Sequence, residues 1–155
     1  MEAGLSDCLE VFRGASRLAL RDGHLSNGEK RLLVKLAHAL RLDEDEPKMV
    51  YDSVIGDTSL GPGRKLESQE KVMVYEQVLE AVLIHTDRSE DELMLVAYLR
   101  KAFQISDAEH RAITRSLDRQ LEQIIHRNVL QDFRMRLDDT MEKIGGIFDR
   151  IGIQI

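Results

Sequence analysis

The stretch RDGHLSNGEKRLL, residues 21 to 33, holds the side chains of this chain best suited to a metal ion. Asp22, His24 and Glu29 fall within one short connection, and an apolar run follows them. A calcium loop of the EF-hand type needs oxygen ligands at positions 1, 3 and 5, Gly at 6 and a bidentate Glu at 12. Counted from Asp22, position 3 is His24, position 6 is Asn27 and position 12 is Leu33, so the EF-hand pattern is excluded. A different site stays open, in which His85, Asp87 and Glu92 from the second half of the chain join the first three through a two-fold arrangement. Such a mixture of carboxylate and imidazole suits Mn²⁺ or Zn²⁺ as well as Ca²⁺.

The competing explanation needs no metal. Ser26 with Glu29 three residues on is a capping box, in which the carboxylate reaches back to the N-cap amide near the positive end of the helix. The pairs Ser89/Glu92, Asp43/Glu46 and Ser106/Glu109 repeat it, each cap being worth roughly 0.5–2 kcal/mol. Asp22-Gly23 then reads as a helix stop with Gly at positive φ. Capping explains all four glutamates by one mechanism and is the stronger account, with a divalent cation as the alternative.

Other chemistry finds less support. Cys8 is the only cysteine, which excludes an intrachain disulfide and a thiolate zinc cage, and its place on an apolar helix face suits a small core residue. His38, His110 and His126 lack ligand spacing and are expected at surface or boundary positions. The segment GDTSLGPGRK, residues 56 to 65, has no phosphate-loop spacing, since Leu66 follows Lys65 where Ser or Thr is required. Arg111, Arg115 and Arg119 recur every fourth residue, but Asp107, Asp118 and Glu122 are interleaved as on a solvated face. A net charge of −6 and a pI near 5.4 argue against an electrostatic grip on nucleic acid. No enzyme signature emerges.

The elements that must position these residues are helical. Two prolines, no tryptophan and 5% aromatics point to an all-α protein. Leu5, Cys8, Leu9, Phe12, Ala15 and Ala19 mark a first helix, and Leu32, Leu33, Leu36 and Leu40 a second. Met49, Val50 and Val54 mark a short third. After the break at 56–66, helices run through Val74 to His85, through Leu95 to Phe103, and through Ile113 and Leu117. An offset of 63 residues pairs Ser26 with Ser89, Glu29 with Glu92, Leu36 with Leu99 and Ser53 with Ser116 without a gap. Caps pair with caps and core with core, which predicts a duplicated three-helix unit packed about a pseudo-two-fold axis.

The run LALRDGHLSNGEKRLLVKLAHALRLDEDE resembles the TerB-like domain of the tellurite-resistance proteins, through Asp22-Gly23, Ser26, Glu29 and the exit ALRLDEDE. LIHTDRSEDELMLVAYLRKAFQISDAEH is similar to the same repeat, with His85-Thr86 standing where Asp22-Gly23 stands in the first. The likeness covers about residues 5–120. It implies an all-helical cytoplasmic domain linked to tellurite and stress responses. It also implies acidic residues that bind a divalent cation, and fusion to or assembly with membrane-associated partners.

The expected organisation is a TerB-like domain over residues 1–120, with repeat one at about 5–55, a linker at 56–66 and repeat two at about 67–118. An amphipathic helical extension follows over 121–155. Its Leu130, Phe133, Leu137, Met141, Ile144, Phe148, Ile151 and Ile155 are spaced three or four apart as an apolar seam with charged flanks. That seam must be covered by its own domain, by a second copy or a partner helix, or by a membrane surface. The mixed-charge flanks make the membrane the weakest of these. Gly145, Gly146 and Gly152 suggest last turns that order on binding. The opening residues carry no basic and apolar leader, and no run is long enough to span a bilayer, so a cytoplasmic chain is expected. The functional expectation is a non-enzymatic module for assembly or stress sensing that acts through the seam, with a cation-binding sensor as the alternative.

Overall fold

The computed structural model describes residues 5–85 and 87–153. Among them the regular elements are seven helices, and the one extended pairing is an isolated bridge between Asp7 and Lys65. The helices are α1 (Cys8–Ala19), α2 (Asn27–Ala39), α3 (Glu46–Ile55), α4 (Ser68–His85), α5 (Glu90–Ala102), α6 (Asp107–Leu121) and α7 (Arg127–Ile151). The all-α expectation holds.

Local chemistry sets where these helices begin. Asp7 caps α1 by accepting from the Leu9 and Glu10 amides. Ser26/Glu29 and Ser106/Glu109 form complete, reciprocal capping boxes. The other two expected boxes are half made. Ser89 accepts from the Glu92 amide, while the Glu92 carboxylate turns instead toward Gly28 of α2. The Asp43 amide donates to Glu46, but the N-cap of α3 is Asp45, which makes no side-chain bond, and a proline in the first turn fixes the start. The chain stops α1 at Leu20 and then turns through Gly23, whose φ of +92° is open to glycine at little cost.

The centre of the molecule is the pair α1 and α5. α1 packs on α2, α3, α5 and α7, while α5 packs on α1, α2, α4 and α7. Val11, Ala15, Leu18 and Ala19 of α1 are wholly excluded from solvent, as are Leu93, Val96, Ala97 and Tyr98 of α5. The Tyr98 hydroxyl donates to the Val11 carbonyl at 2.9 Å, so the buried phenol is satisfied. Gly14 makes that approach possible, because a Cβ there would stand 2.0 Å from the Tyr98 oxygen. On its other side the Tyr98 ring meets Phe148 of α7 edge to face, with centroids 5.7 Å apart and planes at 86°.

The segment 56–66 is more than a spacer. Leu66 donates to the Ser6 carbonyl and is buried, the Cys8 amide donates to the Arg64 carbonyl, and the Gly63 amide donates to the Asp7 carboxylate at 2.7 Å. The halves share further local geometry. α2 and α5 are both 13 residues long, both follow a serine N-cap, and their bounds coincide under a shift of 63. Beyond their C-caps, Arg41 and Gln104 occupy corresponding positions at φ of +55° and +52°.

Candidate functional site

The connection between α1 and α2 brings acidic residues of both halves to one place. Arg21 lies at the end of α1, and its guanidinium donates to Asp91 of α5 at 2.7 Å and to the Leu18 carbonyl. The same group stands 4.0 Å from Glu29, which is 2% exposed. Burial lifts the Glu29 carboxyl above its ordinary range and the charge of Asp91 adds to the rise, while the hydrogen bonds from Ser26 pull it back down. Glu92, 3% exposed, packs over Gly28, where a Cβ would come within 2.2 Å of its Oε1. Glu29 and Glu92 thus lie beneath the facing starts of α2 and α5, with Arg21 supplying positive charge between the halves.

The remaining metal candidates lie outside this group. Asp22 and His24 are exposed and face each other across 3.9 Å, and the Asp22 carboxylate accepts from the His24 amide. His85 is exposed and its carbonyl accepts from Arg31, while Asp87 is exposed beyond it. Among the described residues no three or more His, Cys, Asp or Glu side chains converge as a ligand set.

The seam of α7 is covered by its own chain. Leu130, Phe133, Leu137, Ile144 and Phe148 are buried, and Met141 and Ile151 are partly buried against the same core. Ile155 lies outside the described residues. α7 lies along α5 and touches α1, with Arg17 donating to the Gly152 carbonyl at 3.3 Å. The seven seam positions among the described residues therefore do not present the free docking surface that their spacing allowed. The last turns are helical through Gly145 and Gly146, ending at Gly152 with a φ of +77°.

His110 also differs from expectation. It is 7% exposed, and its Nδ1 lies 3.1 Å from the hydroxyl of Tyr75, which no spacing rule linked to it. Cys8 is buried, as its place on α1 predicted, and burial pushes its thiol up. His38 is exposed, and exposed His126 caps α7 by accepting from the Asn128 amide.

What α2 leaves open is a surface that the sequence did not single out. Val34 is 59% exposed on the outer face of α2, between two grooves. The groove toward α4, of about 730 Å³, is lined by Lys30, Arg31, Val34, Lys35, Glu80 and Ala81 among others. The groove toward α1 and α3, of about 590 Å³, is lined largely by apolar side chains, including Phe12, Leu25, Leu33, Val34, Ala37 and Leu42. A half-exposed valine inside a helical pattern reads as ordinary in sequence, because scattered surface apolar residues are common. Only the two flanking grooves make it a ridge.

Among the described residues no helix is long and apolar enough to cross a membrane. No protein-family model matches the chain, no curated protein matches it, and no solved structure matches it.

Proposed function

We propose that this chain is a non-enzymatic helical interaction module that receives an acidic amphipathic helix of a partner protein along the outer face of α2. The observation that carries this reading is the exposed ridge of Val34 between two grooves, with Lys30, Arg31 and Lys35 set against Glu80 on the α4 side, while Asp43 and Glu44 border the more apolar groove on the other. A helix laid in a groove buries its apolar face, and its flanks choose the partner by charge. The cations gather on the α4 side, so a helix laid there is favoured when the flank that meets Lys30, Arg31 and Lys35 is acidic. The TerB-like character of residues 5–120, and descent of the two halves from one three-helix unit, belong to the same proposal. The coincident bounds and caps of α2 and α5 support both.

The test uses two synthetic amphipathic helices with one shared apolar face, the first flanked by glutamates and the second by lysines, titrated by fluorescence anisotropy. Saturable binding of the acidic peptide, weakened about tenfold or more by Val34→Asp, is expected, since tenfold corresponds to roughly 1.4 kcal/mol. Equal or absent binding of the two peptides overturns the reading. So does a dimer in sedimentation that Val34→Asp dissolves, because the face would then belong to a second copy. The alternative of a divalent-cation sensor built on residues 21–33 has no comparable geometry behind it.

A further inference from the structure

The helix α7 has no counterpart in the first half, and the place where it lies is uncovered there. Under the shift of 63 residues α2 corresponds to α5 and α4 to α1. The packing neighbours agree with that pairing. α2 packs on α1, α4 and α5, and α5 packs on α4, α1 and α2, but α5 also carries α7 along its outer side. Two contacts hold α7 there: the Phe148 ring meets Tyr98 edge to face, and Arg136 stands 3.8 Å from Glu90 at the start of α5. α7 also reaches α1, where Arg17 donates to the Gly152 carbonyl.

Burial follows the added helix. Leu93 and Ala97 of α5 are wholly excluded from solvent, while Lys30 and Val34, at the corresponding positions of α2, are exposed. The counterpart of the seat between α5 and α1 is the groove between α2 and α4, of about 730 Å³. Gln77 and Glu80 line it at the positions that Gly14 and Arg17 hold on α1. Leu32 and Ala81, 2% and 7% exposed, give it an apolar floor. Met73 and Ile84, one turn before Gln77 and one turn after Glu80, carry the α4 wall on with exposed apolar side chains. The 13 residues of α2 leave room for roughly three to four turns of a helix laid beside it.

We infer that the groove between α2 and α4 is the uncovered counterpart of the α7 seat and takes a partner protein's helix of α7's apolar spacing with an acidic flank toward α2, which rests on the helix-receiving role proposed above and confines it to one groove. Charge separates this occupant from the α7 of a second copy. Where α5 offers Leu93, Met94 and Tyr98, α2 offers Lys30, Arg31 and Lys35. Arg31 donates to the neutral His85 carbonyl, and Glu80 is the carboxylate of the lining, so with the histidines neutral two positive charges are left over. α7 presents the Phe148 ring to Tyr98, and a ring set in the same way against Lys35 would strip water from an ammonium without offering an acceptor. A carboxylate at that place meets the cations instead. The groove beyond Val34 shares only Lys30 of the three cations and is bordered by Asp43 and Glu44, so it disfavours an acidic flank.

Three synthetic helices, titrated by fluorescence anisotropy, test the assignment. The first keeps the apolar spacing of residues 130–148 and carries glutamates on one flank, the second has the sequence of α7 itself, and the third is the first reshuffled so that its apolar spacing is lost. The first is expected to bind saturably with a Kd of about 100 μM or tighter, and the other two at least about tenfold more weakly. Gln77→Glu should weaken the first helix and Glu80→Gln tighten it, each by about two- to fivefold, because both side chains line the α4-side groove and neither lines the other. Amide shifts should centre on residues 30–38 and 77–85. Shifts centred instead around Phe12, Leu25 and Leu42, with affinity unmoved by the two α4 variants, overturn the inference and leave the broader reading of an α2 docking face standing. Equal or tighter binding of the α7 sequence or of the reshuffled helix overturns it too, as do shifts centred on residues 90–101, where the peptide would be competing for the seat of α7. Absence of saturable binding by all three overturns the inference and the broader reading together.

Discussion

His110 determines how the molecule meets acid. Its ring is buried against Tyr75, and it is held neutral by burial first and by the charge of Arg100 second. An unfolded histidine titrates near 6.5, and the folded one near 4. As the pH falls through 6.5 the unfolded chain takes up a proton that the folded chain refuses, so stability is lost progressively down to about 4, by up to roughly 3 kcal/mol. Glu29 acts with the opposite sign. Its folded carboxyl is raised above the ordinary 4.5, so the stability it contributes is present below that value and is lost as the pH rises through the folded one. Urea midpoints measured from neutral pH to about 4.5 should therefore fall less steeply in His110→Gln than in the parent. The His110 ring resonances should stay nearly fixed from neutral pH down to about pH 5. A ring that titrates above pH 6 would show that the imidazole is not held in the way described.

α7 behaves as a wall of the core. Ile144 is fully buried on its inner face while Met135 is 69% exposed on its outer one. Ile144→Ala should cost about 2–5 kcal/mol and Met135→Ala less than about 0.5, read by chemical denaturation. Similar, small losses at both positions would mean that α7 is only loosely attached. The starts of the helices were legible because Ser26, Ser89 and Ser106 each act on the amide three residues on. Periodicity likewise marked the inner face of α7 correctly from Leu130 to Phe148. It carries no record of what covers that face, because an own helix and a foreign one demand the same apolar spacing. The Tyr75–His110 bond joins residues 35 apart on different helices, so it leaves no local pattern. Glu92 shows the converse: a cap motif read correctly by spacing, whose carboxylate was diverted by a glycine on another helix.

For the molecule as a whole, the acidic faces of the two halves are already provided with a counter-charge. Arg21 sits between Asp91 and Glu29, and Asp22 and His24 stand apart from them in solvent. The chelator-treated protein should accordingly melt within about 1 °C of the same point with and without millimolar Ca²⁺, Mn²⁺ or Zn²⁺. A ligand at a hundred times its Kd would add about 2.7 kcal/mol, or several degrees for a chain of this size. A cation-specific rise of that magnitude, absent from Asp22→Ala, would sink this expectation and restore residues 21–33 as a binding site. The meeting of Tyr98 with Phe148 has a further consequence for how the chain is made. Fifty residues separate the two rings, so at about 5–20 residues per second the outer side of α5 waits roughly 3–10 s for its cover after it has been synthesised. Until α7 emerges, Tyr98 and its neighbours form a sticky strip on an otherwise assembled bundle, and the nascent chain is most exposed to aggregation in those seconds.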